Sequence, residues 1–157
     1  YHLALNPFSR LVLVGSPRSA PRYHAMLRML AWDLDVPNIC FEGFASPEGL
    51  RAYYAVADLY VSTSEHEGYC LPLLEAMGYG VPVLARAVGG VPEAMDGAGV
   101  LYDGLSPTEL GALFERLLSP GPLRSEILAS QQKRVQRALD RDPAGEVRAL
   151  LADWMPG

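Results

Sequence analysis

The chain has little positive charge and almost no lysine. Its 13 Lys and Arg residues, of which only Lys133 is a lysine, are outnumbered by 18 Asp and Glu, giving a formal net charge of −5 and a pI near 5.1. A sequence-independent nucleic-acid binder needs a basic face that displaces counterions from phosphates, so that class is excluded. Any anionic ligand must be held locally. Arg18, Arg22 and Arg86 fall in loops that could face such a ligand, although each taken alone reads first as an ordinary solubilising side chain.

Cysteine is scarce too. Cys40 and Cys70 are too far apart for a C-x-x-C pair, and two isolated thiols in a domain of this size point to a reducing, cytoplasmic setting. His2, His24 and His66 lack the mutual spacing of zinc ligands, and no Asp-rich loop resembles a calcium or magnesium motif, so no metal site is expected. No apolar run approaches the ~20 residues that span a bilayer, and no signal peptide is recognisable, so a soluble fragment is expected. No G-x-G-x-x-G follows the strand that ends at Gly15, which disfavours a dinucleotide oxidoreductase.

What is present is enough apolar material for one domain: 157 residues, half of them hydrophobic. Arg10 to Gly15 is a continuous apolar run closed by glycine, which predicts a strand buried on both faces of a parallel sheet. A helix is expected over about 21–34, with Met26, Leu27, Met29, Leu30 and Leu34 on one apolar stripe. Strands are expected at 39–42, 59–62, 81–85 and 99–102, and helices from Ser46-Pro47 to about Ala57, from Leu71 to Tyr79 and from the capping box Ser106-Pro107-Thr108-Glu109 to Leu118. Beyond Pro122 the chain reads as a helical tail, broken near Asp142-Pro143 and ending around Trp154. The alternation predicts a Rossmann-like, doubly wound α/β domain over residues 1–157, with ligands outside the carboxyl ends of the strands.

Ser64 to Met77 is the most informative stretch. Glu67 and Glu75, separated by seven residues, flank a loop that opens into a helix at Pro72, a proline suited to the first helical position. Gly68 permits close approach of backbone to ligand, free amides at the helix start can bind an anion, and carboxylates on either side can accept hydrogen bonds from sugar hydroxyls. Phosphate at the amides and hydroxyls at the acids together describe a nucleotide sugar. Within the stretch His66 reads as a solvent-exposed loop residue or a sugar contact, and Tyr69 as a stacking platform or a packing residue. Gly89-Gly90 reads as a source of ligand-facing amides or as a simple turn.

Glu67 and Glu75, followed by Ala76-Met77, Gly80, Pro82-Val83 and Gly89-Gly90-Val91-Pro92-Glu93, resemble the donor-binding half of the retaining glycosyltransferases of family four. The likeness runs from about Leu11 to Asp103 and takes in Val14-Gly15, Phe41-Glu42-Gly43 and Ala57-Asp58-Leu59. It implies the carboxyl-terminal half of a GT-B enzyme, whose partner domain holds the acceptor. By that resemblance Glu67 is the catalytic residue and contacts the sugar hydroxyls. Gly68 belongs to the nucleotide-sugar-binding loop, the amides of Tyr69, Cys70 and Leu71 just after it contact sugar and pyrophosphate, and Glu75 takes the ribose hydroxyls. Gly15, Ser16, Gly43 and Phe44 line the nucleotide, Phe44 flanking the base by position.

The resemblance also implies two gaps, namely the acceptor domain and the first strand of the donor domain with its basic diphosphate ligands. Tyr1 to Asn6 is then the end of the helix after that strand, and the fragment alone is expected to be inactive. The expected reaction transfers a sugar from a nucleoside diphosphate to an acceptor hydroxyl with retained configuration, without a metal or other cofactor. Membrane association, if any, belongs to the missing part. A GT-B epimerase of nucleotide sugars and a noncatalytic nucleotide-sugar-binding module are the competing readings. A glycosidase is disfavoured, since nothing sets the two glutamates at a hydrolase separation and the glycine loop and helix start go unused.

Overall fold

The computed structural model describes residue 6 and residues 8–18, 20–36, 38–142 and 144–145. Strands and helices alternate: β1 (Leu11–Val14), α1 (Pro21–Asp33), β2 (Ile39–Gly43), α2 (Pro47–Val56), β3 (Tyr60–Ser62), α3 (Leu71–Gly78), β4 (Val83–Arg86), α4 (Val91–Met95), β5 (Val100–Tyr102), α5 (Pro107–Leu118) and α6 (Pro122–Leu139). All strand pairs are parallel. The expected segment Tyr1–Asn6 and the last helix to Trp154 lie, but for Asn6 and residues 144–145, outside the described residues.

Local chemistry explains most boundaries. Ser46 caps α2 by accepting the Gly49 N–H at 3.1 Å. At α5, Ser106 and Glu109 exchange side-chain and backbone bonds in a complete capping box. Gly80, at φ +72°, turns the chain after α3 into the apolar entry to β4. The short helix α4 was not expected, because Val88 to Glu93 reads as a glycine turn.

The doubly wound sheet is split. Among the described residues β1 pairs only with β2, while β3, β4 and β5 form a second sheet with β4 in the middle. A doubly wound domain has the strand order 3-2-1-4-5-6, and the two groups described match its 3-2 and 4-5-6 segments. The expectation of β1 as a fully buried strand is therefore wrong. Leu11 and Val14 remain 39% and 40% exposed, since among the described residues no strand flanks the open side of β1. The stripe on α1 is likewise uncovered among the described residues: Met26, Met29, Leu30 and Leu34 are all exposed and the helix buries no residue.

The core sits on the three-stranded sheet. Leu73, Ala76 and Met77 of α3 pack with Val83 and Ala85 of β4 and Val91 and Met95 of α4, while Leu84, Tyr102, Leu117 and Ile127 fill the opposite side. Gln131 of α6, 1% exposed, accepts the Val83 N–H at 2.9 Å and donates to the Val81 carbonyl at 2.8 Å. Its amide thus occupies backbone groups at the entry to β4 that Pro82 leaves outside the ladder. This anchored half carries the loop from Thr63 to Cys70.

Candidate functional site

The loop leaves the buried end of β3 at Ser62 and enters α3 at Leu71, with Pro72 second in the helix rather than first. The consequence is the same, since neither position needs its N–H for the helical ladder. Cys70 is the N-cap residue and adopts the left-handed conformation, φ 54° and ψ 62°, which costs a non-glycine residue roughly 1–2 kcal/mol. Among the described residues no backbone carbonyl accepts from the N–H groups of Tyr69, Cys70 or Leu71. Three consecutive donors therefore stand at the positive end of α3.

Both acidic side chains are held by hydroxyls. Ser64 donates to Glu67 Oε1 at 2.7 Å, and Tyr54 donates to Glu75 Oε2 at 2.9 Å. Burial, followed by the charge on Glu67, pushes the Cys70 thiol up, which favours its protonated form. The Tyr60 hydroxyl is raised chiefly by burial and then by the neighbouring Cys70, Glu67 and Glu75. His66 is exposed, as its loop position suggested.

Gly89 and Gly90 buttress the loop. The Gly90 N–H donates to the Gly68 carbonyl at 3.0 Å, with a longer contact to Glu67 at 3.4 Å. A Cβ on Gly89 would overlap the Glu67 carbonyl oxygen, and one on Gly90 would overlap that of Gly68. The Gly90 amide is thus used inside the protein. On the other flank, Arg134 of α6 is 5% exposed and donates from Nε to the Ala94 carbonyl and from a terminal nitrogen to the Tyr69 hydroxyl, each at 2.8 Å. The Tyr69 hydroxyl is a packing contact of this helix. Sequence reasoning missed Tyr54 and Arg134 altogether, and it also missed the bond from Ser64 to Glu67, only three residues away.

A second group forms at the ends of β1 and β2. Gly15 donates its N–H to the Gly43 carbonyl at 2.7 Å, and Gly43 turns at φ +72°. Ser16, Pro17, Arg18, Gly43 and Phe44 line a cleft of about 530 Å³, with Phe44 83% exposed. Arg18 thus joins the nominated residues. Arg86 instead lies near Glu65 and Asp103, at 3.7 and 3.9 Å. Among the described residues no cluster of three or more His, Cys, Asp or Glu is arranged to hold a metal ion.

The sequence model of the glycosyl transferases group 1 matches residues 2–134. The chain belongs to this family. A group 1 relative from Acidothermus cellulolyticus, a D-inositol 3-phosphate glycosyltransferase, is 37% identical over 131 residues, which cover 81% of this chain and 29% of the relative. The chain spans about a third of the length of the curated relatives it matches. Among solved structures, the C-terminal domain of a group 1 glycosyl transferase from Francisella tularensis superposes with a TM-score of 0.73 at 24% identity, covering 90% of this chain and 75% of that one. HepE of Anabaena, solved in complex with UDP-glucose, gives 0.76 at 21% identity, covering 97% and 42%. These likenesses establish the fold as that of the C-terminal half of a GT-B glycosyltransferase.

Proposed function

We propose that this domain binds the nucleotide-sugar donor of a retaining glycosyltransferase, in a cradle formed by the Glu67–Leu71 loop and the start of α3. One observation carries the reading: three backbone N–H groups without a backbone acceptor among the described residues, at Tyr69, Cys70 and Leu71, fall in the sequence between two glutamates whose carboxylates are already bonded by Ser64 and Tyr54. The amides suit a diphosphate and the carboxylates suit hydroxyls. Glu67 is assigned to the sugar and Glu75 to the ribose. The cleft at Gly15, Ser16, Gly43 and Phe44 receives the nucleoside. HepE, which shares the fold, has been captured with UDP-glucose.

In the reaction the bond from the anomeric carbon to the diphosphate breaks while the acceptor oxygen bonds on the same face, its proton passing to the departing phosphate oxygen. No protein nucleophile and no metal is required. Glu67 stabilises the sugar through its hydroxyls as positive charge develops at the anomeric carbon. The acceptor domain, the basic groups that neutralise the leaving diphosphate and any membrane attachment are supplied by other parts of the protein, and the donor domain alone transfers almost nothing. Two free thiols suit a cytoplasmic enzyme that builds a glycan.

The test compares Glu67→Ala and Glu75→Ala in the full-length protein with labelled UDP-, GDP- and ADP-sugars. Glu75→Ala is expected to weaken binding of the free nucleoside diphosphate. Glu67→Ala is expected to spare that binding and abolish transfer. Unchanged transfer in both variants would refute the assignment.

A further inference from the structure

Glu75 is exposed on the surface of α3, where a glutamate would ordinarily sample many rotamers. It is not left to do so. The Tyr54 hydroxyl, reaching from the last turn of α2, lies 2.9 Å from Oε2 and 3.5 Å from the Pro72 carbonyl. The Tyr54 ring is 6% exposed and fixed on two sides: stacked on Tyr79, with centroids 5.6 Å apart at 24°, and tilted against Tyr60 at 6.1 Å and 46°. Tyr79 ends α3 and Tyr60 opens β3, so the phenol is referenced to the same two elements that carry the loop.

We infer that Tyr54 is a positioning residue that fixes the Glu75 carboxylate for a vicinal diol, and thereby makes the site select ribonucleotides over 2′-deoxyribonucleotides. The inference rests on the reading of Glu75 as the acceptor of the ribose hydroxyls. With Oε2 engaged by the phenol, Oε1 keeps its lone pairs for the ligand, and the plane of the carboxylate is set before the ligand arrives. A pre-ordered acceptor rewards both hydroxyls of a ribose at once, whereas a free one re-aims at whichever hydroxyl remains. Burial, and then the bond to Glu75, raise the Tyr54 hydroxyl far above the ordinary tyrosine value. It therefore remains an O–H donor throughout the working pH range.

Titration calorimetry of the full-length protein with UDP, GDP and ADP and their 2′-deoxy counterparts tests this. The wild type is expected to prefer the ribonucleotide. Tyr54→Phe keeps the stacked ring and removes only the hydroxyl. It should weaken the ribonucleotide by roughly tenfold, the scale of one hydrogen bond to a charged group, and the deoxy ligand much less. In a Glu75→Ala background the same change should have no effect on either ligand. A ribo-to-deoxy ratio unchanged by Tyr54→Phe, whether both affinities fall together or neither moves, would overturn the positioning role while leaving Glu75 in place. A wild type without ribose preference, and insensitive to Glu75→Ala, would instead remove the reading of Glu75 itself. If Tyr54→Phe lowers the melting temperature so far that titration fails, the ratio is read in Glu75→Asp, whose shorter side chain withdraws the carboxylate from the phenol. There a retained preference equally overturns the proposal.

Discussion

Gly90 donates its backbone N–H to the carbonyl of Gly68 at 3.0 Å, so the glycine pair after β4 and the glycine of the Thr63–Cys70 loop meet backbone to backbone. A side chain on Gly90 would overlap that carbonyl, and Gly89, at φ +52°, has the Glu67 carbonyl in the same relation to it. Gly90→Ala is expected to displace the loop and cost about 2 kcal/mol or more, with nucleoside diphosphate affinity falling alongside. Gly78→Ala is the comparison: a Cβ there meets nothing within 4 Å, and the change should stabilise by up to about 1 kcal/mol. Urea unfolding and calorimetry on the full-length protein measure both.

Gln131 offers a test of how the site half is anchored. Gln131→Leu preserves volume but leaves the Val83 N–H and the Val81 carbonyl unpaired in the core, an expected loss of about 2–4 kcal/mol. Gln131→Glu adds a pH signature. The buried carboxylate lacks a donor for Val81, and burial raises its folded-state pKa, so the folded form binds a proton more readily than the unfolded chain. Stability of that variant should therefore rise, relative to wild type, as pH falls through the raised value. A pH-independent difference would show that the introduced carboxylate has left the core.

The features that were legible in sequence are those determined within a few residues. The capping box at Ser106 and the apolar run of β4 report local chemistry, and the structure reproduces them. The surroundings of β1 were not legible, because burial of Leu11 and Val14 depends on a neighbouring strand and not on their own hydrophobicity. Tyr54 and Arg134 were invisible for a different reason. Their partners lie 21 and 65 residues away, and a tyrosine at a helix end or an arginine on a polar helix has no periodic signal that singles it out. The short helix α4 was lost because two glycines masked its start.

At α5 the cap supplies a pH test. Hydrogen bonds from the Ser106 side chain and then its backbone hold the Glu109 carboxyl below its ordinary 4.5. A carboxylate depressed in the folded state stabilises above its unfolded pKa, and that contribution is lost as pH falls through the folded value. Ser106→Ala should therefore destabilise at neutral pH, and the gap from wild type should narrow below about pH 4.5. Parallel urea midpoints at pH 7 and in the acid range read this directly; a constant gap would contradict the linkage.

Arg134 and Tyr69 should behave as one unit. The guanidinium is 5% exposed, and among the described residues its bonds run to the Ala94 carbonyl and the Tyr69 hydroxyl, with no carboxylate paired to it. Tyr69→Phe removes an acceptor from a buried cation and should cost about 1–3 kcal/mol. Arg134→Lys should not substitute, because an ammonium cannot reproduce the planar fork that spans α4 and the loop. Since each change breaks the same bridge, the double variant should lose less than the sum of the two single losses. Additive losses would mean that α6 holds the donor loop through other contacts, and that this bond is incidental to it.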